Sequence, residues 1–277
     1  MQDDKAWMGA GPAGHSPQPS SLDTAAAYSA RVNNYWQGGK DHFAADRAAA
    51  EEALAAFPDL ATAVRAGQPW RRRVTRFLVT EGGIGQFLDL GTGLPAGETI
   101  GQMAGALRPD CRTVYVDHDP MVVAHARALL PRHPASCRVV EADIRDPAAV
   151  LAAAAATLDL GQPVTVILAS VLHLIPDADD PYGMVSRYLD RTPAGSYLVI
   201  AHPSSDLRPE ASAGMAASLN KAVSQQRSYR DHAQVSRFFA GLDLVEPGVV
   251  PLPRWRPDSE EEAGAPTMAW AGVGRKP

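Results

Sequence analysis

Three carboxylates, a glycine turn and two histidines are the residues whose types and spacing could do chemistry in this chain. Asp89 stands two residues ahead of Gly91 in Phe87-Leu88-Asp89-Leu90-Gly91-Thr92-Gly93-Leu94-Pro95. Gly91 and Gly93 can take positive φ and let a ligand approach the backbone closely. With Thr92 and Leu94 they form the turn. A helix opening at Pro95 would present free N–H groups and the positive end of its dipole. Asp117 closes the run Val114-Tyr115-Val116 and is followed by His118. A carboxylate there can accept two hydrogen bonds from ribose hydroxyls. Asp143 and Ile144 follow Val139-Val140-Glu141. That carboxylate can accept from an adenine amino group while Ile144 packs on the ring. Ser170, Val171 and His173 follow a fourth apolar run, and His202 a fifth.

Structural roles compete for several of these positions. In Asp117-His118-Asp119-Pro120 one carboxylate can cap a helix that starts at Pro120. Asp119 is assigned that cap and Asp117 the ribose. Gly91, Gly93 and Ala96 fit the dinucleotide fingerprint GxGxxA, which keeps an NAD-dependent oxidoreductase open. That reading wants a Tyr-x-x-x-Lys pair after the fourth strand, and Tyr182 and Tyr188 lack a lysine four residues on. The set Asp89, Asp117 and Asp143 favours S-adenosylmethionine (SAM) instead. His173 and His202 are the candidate catalytic bases, needed only where the nucleophile carries a proton. A protein that binds SAM or a nucleotide without catalysis is a further reading, since neither histidine is secured as a base. No His, Cys or Asp set has metal-ligand spacing, so no metal is expected. No GxSxG suggests hydrolysis.

The elements that must position these residues follow a strand–turn–helix rhythm. Strands are expected over Gln86–Leu90, Thr113–Asp117, Cys137–Glu141, Val164–Ala169 and Ser196–Ala201. Helices are expected over Pro95–Leu107, Pro120–Leu130, Pro147–Leu158 and Asp180–Arg191. Short apolar strands alternating with helices imply a parallel sheet covered on both faces. Ligands of such sheets bind beyond the carboxyl ends of the strands. A long helix is expected from Pro209 to about Tyr229, then strands over Leu242–Val245 and Met268–Gly274. Ahead of the sheet, 1–22 read as a disordered tail rich in Gly, Pro and Ser. Helical patterning covers Thr24 to Phe57, broken at Gln37-Gly38-Gly39, and resumes from Pro69 to Thr80. In that last helix Trp70, Val74, Phe77 and Leu78 form one apolar face. Arg71, Arg72, Arg73 and Arg76 lie off that stripe and read as a solvated face.

Composition narrows the function classes. The chain has 277 residues, 45% of them hydrophobic, enough for a sizeable core. A net charge of −5 and only 6% aromatic residues argue against nucleic-acid partners. Cys111 and Cys137 are isolated and suggest a reducing compartment. No run approaches the roughly 18 apolar residues of a membrane span, and the N-terminus has no apolar signal segment. The expected location is cytoplasmic, with no membrane partner.

Two further segments complete a family pattern. They are Ala30-Arg31-Val32-Asn33-Asn34-Tyr35 and Gly38-Gly39-Lys40-Asp41-His42-Phe43-Ala44-Ala45-Asp46-Arg47. With Phe87–Pro95 and Val114–Pro120 they resemble an actinobacterial family of S-adenosyl methyltransferases formerly classed as a domain of unknown function. Residues 86–275 resemble class I SAM-dependent methyltransferases more generally. The resemblance implies an α/β, Rossmann-like fold, with a mostly parallel seven-stranded sheet, helices on both faces and an antiparallel last strand. It implies SAM as cofactor, S-adenosylhomocysteine (SAH) as product, and an N-terminal helical extension over 23–80 before the SAM-binding domain at 81–277. The segment Val171–Asp177 resembles the stretch after the fourth strand in many small-molecule methyltransferases, which offers His173 a pocket role beside that of a base. Tyr35, Gly38, Gly39 and Lys40 are the candidate lid or substrate residues; a plain helix-linking turn is the competing reading. The acceptor is expected to be a small molecule, and a homodimer is compatible with everything above.

Overall fold

The computed structural model describes residues 23–130, 136–223 and 225–277. The tail expected over 1–22 lies outside the described residues. Five parallel strands form the body of one sheet: β1 (Gln86–Leu90), β2 (Arg112–Asp117), β3 (Cys137–Glu141), β4 (Thr165–Ala169) and β5 (Tyr197–Pro203). Three more complete it: β6 (Asp243–Leu244), β7 (Val250–Pro251) and β8 (Ala269–Arg275). The order is β3-β2-β1-β4-β5-β8-β6, with β7 also on β8. Leu88 lies opposite Val114 on one side and Val166 on the other. β8 runs antiparallel to β5, Tyr197 opposite Arg275. The architecture is the α/β one expected. The eighth strand is the two-residue β7, too short to register as a pattern of alternation.

Helices cover both faces. On one face α7 (Pro147–Ala154), α8 (Pro181–Asp190) and α10 (His232–Arg237) pack on Leu88, Leu90, Val114, Val116, Val166, Leu168, Leu198 and Ile200. On the other, α4 (Gly67–Thr80) and α5 (Ile100–Leu107) bury Trp70, Val74, Phe77, Leu78 and Ile100 against Phe87, Ile167, Val199 and Val273. Strand residues alternate between the two cores because successive side chains point to opposite faces. α4 therefore belongs to the sheet's own cover. A third apolar cluster joins α1 (Ser29–Trp36), α2 (Ala44–Ala56) and α3 (Leu60–Arg65) to α9 (Pro209–Ala222) through Val32, Trp36, Ala53, Leu60, Met215 and Leu219. α6 (Pro120–Leu129) and the short α11 (Glu260–Ala263) complete the set. Among the described residues no helix is long and apolar enough to cross a membrane.

Three expectations are corrected here. α5 starts at Ile100 and not at Pro95. Gly97, at φ +132°, breaks any earlier helix, and Thr99 with Gln102 forms the capping box that starts it. α9 stops at Ala222 because Val223 turns extended and bridges to Ala27. Arg73 is not on a solvated face. Its guanidinium is buried, donating to the carbonyls of Trp255 and Pro253 and pairing with Glu262. Arg72 and Arg76 are exposed, as expected, and pair with Glu98 and Asp258.

Candidate functional site

The glycine turn is anchored by the end of β2. Gly91 and Thr92 both donate to the Val116 carbonyl, at 2.8 and 3.2 Å, and the Gly93 N–H donates to Asp117 Oδ2 at 3.0 Å. Gly91 sits at φ +70° and Gly93 at +68°. A Cβ on Gly91 would collide with the Val171 side chain, whereas one on Gly93 would meet nothing within 4 Å. The expected helix N-terminus is not at the turn. α5 begins beyond a loop, and its Gly101 N–H is already taken by the Tyr115 hydroxyl at 2.9 Å.

The three acids stand at the carboxyl ends of the strands, as the sequence predicts. Asp117 accepts from Gly93 on one oxygen and from the Asp119 N–H on the other, at 3.0 Å each. A carboxylate has about four lone-pair sites, so two remain for ribose hydroxyls. Burial raises its pKa above the ordinary carboxylate value. Asp119 caps α6 through the Met121 N–H at 2.8 Å, as assigned. Asp143 is gripped by Arg145, whose Nη2 lies 2.6 Å from Oδ2 and holds the acid ionised below its usual range. Asp89 is 8% exposed, and burial pushes its pKa up to about 6 despite the cation of Arg71.

A cavity of about 1160 Å³ opens at this edge of the sheet. It is lined by Gly91, Thr92, Gly93, Leu94, Asp117, His118, Asp143, Ile144, Ser170, Val171 and His173. Asp89 lies outside this lining and faces a small adjoining pocket with Arg71, Thr92 and Leu94. Ser170 takes φ +62°, a left-handed conformation rare for a residue with a Cβ, at the end of β4.

The two histidines separate. His173 lines the cavity; its buried Nδ1 has no hydrogen-bond partner, and burial beside Arg227, His202 and Arg230 holds the ring neutral. His202 is fully buried away from the lining. Its Nδ1 lies 2.7 Å from the Pro203 carbonyl and its Nε2 2.9 Å from Arg230 Nη1. The N–H of Arg230 must donate, so Nε2 accepts and the proton sits on Nδ1. Burial lowers its pKa to about 3. Arg230 also donates to the carbonyls of Leu172 and Ile175, both at 2.9 Å, and pairs with Asp177 at 2.6 Å. His202 thus supports the residue that pins the segment carrying His173, and both its ring nitrogens are engaged.

The N-terminal segment does reach the cavity, but through other residues than those expected. Tyr35, Gly38, Gly39 and Lys40 lie outside the lining; α1 contributes Ser29, Ala30, Arg31, Asn33 and Trp36, and Gln37 follows at its end. The Tyr35 hydroxyl bonds Glu51, Lys40 is exposed, and Gly38 turns the chain at φ +81°. Gly39 is required because a Cβ would strike the Asn34 side chain, which itself accepts from the Asp41 N–H at 2.9 Å. Arg31 and Asp46 form a buried pair at 3.0 Å, and Asp46 also accepts from the N–H groups of Tyr28 and Phe43. The family motif in this region therefore builds the turn and joins α1 to α2, while its Ala30, Arg31 and Asn33 line the cavity. Sequence reasoning missed Arg71 and Arg227 as lining residues, together with Met215, Leu219 and Tyr229. Arg71 was masked by the run of arginines around it. Arg227 fell in the stretch read as helix.

The residues present fit an adenosyl cofactor. Gly93 offers open space at positive φ, and Asp117 beside it keeps acceptor capacity. Asp143 and Ile144 share the lining one strand further out. Acids at the ends of β1, β2 and β3 around a glycine turn define a nucleoside-binding Rossmann-like domain of the class I methyltransferase type. The comparisons agree. The S-adenosyl methyltransferase family model matches residues 15–277. A DUF574 family protein from Streptomyces avermitilis is 37% identical over 92% of this chain and 99% of its own, with a TM-score of 0.88. A candidate methyltransferase from Thermobifida fusca YX is 36% identical over 95% and 99%, with a TM-score of 0.86. The mitomycin 7-O-methyltransferase MmcR, 16% identical over 77% of this chain and 55% of its own with a TM-score of 0.51, shares the fold. A comparison with curated proteins gives no significant match. The chain belongs to the S-adenosyl methyltransferase family. It is a SAM-dependent methyltransferase, and its cofactor is S-adenosylmethionine.

Proposed function

We propose that the protein methylates a small molecule enclosed between the glycine turn and a wall supplied by α1 and α9. The observation that carries this reading is the cavity's size. At about 1160 Å³ it exceeds the roughly 300–1,000 Å³ of a pocket for one ligand, leaving room for cofactor and acceptor together. Gly91–Leu94, Asp117, His118, Asp143 and Ile144 hold the adenosyl part, with Ser170 and Val171 closing its side. Asp89 acts from behind the turn. The bound cofactor supplies an electrophilic methyl group on a sulfonium. The residues around it align the nucleophile and keep water out, which is the larger share of the work in an in-line displacement. His173, neutral and with a free Nδ1, accepts a hydrogen bond from the acceptor and orients it. Because its imidazolium is disfavoured, it serves a neutral amine, which keeps an N–H to donate, better than a hydroxyl that must lose its proton. The free Cys111 and Cys137 support a reducing, cytoplasmic setting.

Titration calorimetry of the purified protein with SAM, SAH and NAD tests the cofactor half. Micromolar binding of the first two without NAD is expected; binding of NAD alone would overturn the assignment of Asp117. Release of SAH with a small-molecule acceptor then separates catalysis from binding without turnover.

A further inference from the structure

We propose that the acceptor carries a carboxylate on an apolar body, and that Arg227 is the residue that holds that carboxylate. This rests on the methyltransferase reading above and names the substrate class for the same cavity. Four arginines are buried among the described residues: Arg31, Arg73, Arg227 and Arg230. Three have a carboxylate, from Asp46, Glu262 and Asp177. Arg227 alone of the four is without an ion pair among the described residues. The residue is 9% exposed and lines the cavity. Nη2 donates to the Ser29 hydroxyl at 3.0 Å, while Nη1 is buried with no partner. A guanidinium left buried without an anion is among the more costly arrangements a protein can hold. The same burial depresses its pKa.

Among the described residues the neighbours do not supply the missing charge. Tyr229 is kept protonated, its pKa pushed up to about 12 by burial, and His173 is neutral. The Ser228 N–H donates to the His173 carbonyl at 2.7 Å and the Arg227 charge acts on the His173 ring, so two unsatisfied polar groups, Nη1 of Arg227 and Nδ1 of His173, belong to one part of the cavity. A carboxylate matches the guanidinium fork in both charge and shape. Trp36, Leu60, Met215, Leu219 and Met268 line the same cavity, so the rest of the ligand is apolar. The cofactor has a carboxylate of its own, but a different cation stands by its turn. Arg71 lies close enough to Asp89 to bias its ionisation and shares the lining with Thr92 and Leu94.

The test uses the SAH-loaded protein titrated with 2-naphthoate and with its neutral analogue 2-naphthamide. A hydrogen-bonded charge is worth about 1.5–3 kcal/mol, so the naphthoate should bind roughly 10- to 100-fold more tightly. That preference should vanish in Arg227→Met and return in part in Arg227→Lys, with SAH affinity unchanged in both. Equal affinities for the two probes, or binding of neither to the wild-type protein, would overturn the proposal without needing any variant to fold. A loss of SAH affinity in Arg227→Met, with 5′-deoxy-5′-methylthioadenosine binding intact, would also overturn it, because Arg227 would then hold the cofactor's carboxylate. Failure of the wild-type protein to bind SAH at all would strike the methyltransferase reading itself.

Discussion

Gly91 and Gly93 share a backbone conformation and differ in what surrounds them, so alanine at the two positions should have different consequences. Both sit near φ +70°. Left-handed backbone costs an L-residue about 1–2 kcal/mol, and each substitution incurs it. At Gly91 the new methyl also meets Val171, and overpacking of this kind adds about 1–3 kcal/mol. Gly91→Ala should therefore lose about 2–5 kcal/mol and Gly93→Ala about 1–2. Removing the obstacle separates the two terms. In a Val171→Ala background the Gly91→Ala loss should shrink to the conformational part, giving a coupling energy of about 1–3 kcal/mol. Gly93→Ala should show no such coupling. Urea unfolding of the ligand-free protein, followed by the fluorescence of buried Trp70 and Trp255, measures the cycle. SAH titration should show the opposite ranking for what survives folding, with Gly93→Ala weakened because its methyl enters the cavity. Equal destabilisation by the two alanines, or zero coupling with Val171, would refute the collision argument.

Two further outcomes follow from the charges. Asp89 has a folded pKa of about 6 against an ordinary 3.8, so the folded state binds its proton more tightly. Its contribution to stability is fully present below the ordinary value and is lost as pH rises through 6, about 3 kcal/mol over the window. Urea midpoints of Asp89→Asn should accordingly fall less between pH 4 and 6.5 than those of the wild type, and parallel curves would refute the assignment. Arg31→Met should cost about 3–5 kcal/mol because it leaves Asp46 buried with backbone donors but no cation. A loss below about 1 kcal/mol in the same urea assay would show that the pair does not join α1 to α2.

What the sequence made legible is what local chemistry decides. β1 and β3 span the residues expected of them, and Asp119-Pro120 starts α6 as the capping rule requires. The acids at the strand ends were visible because a parallel sheet places its carboxyl ends at one edge. What failed depended on partners far along the chain. Arg73 looks like one of four surface arginines until the loop at Pro253–Trp255 folds over it. Lys40 and Tyr35 looked like ligand groups because the motif around them is distinctive. That distinctiveness comes instead from Gly39 packing on Asn34 and from the Arg31–Asp46 pair. Arg227 shows the same limit. Its lack of a carboxylate partner among the described residues is a property of three-dimensional neighbours, and no spacing along the chain announces it.

β8 has a bearing on how the molecule comes to exist. It is the last strand in sequence, yet it lies inside the sheet, pairing with β5 on one side and with β6 and β7 on the other. Synthesis proceeds from the N-terminus, so β1 to β5 emerge with one flank of the sheet open, and β6 and β7 emerge with nothing to pair with. An exposed strand flank is a template for pairing with another chain. The nascent protein therefore carries an adhesive edge until Ala269–Arg275 have left the ribosome, and its safe assembly waits on the synthesis of β8.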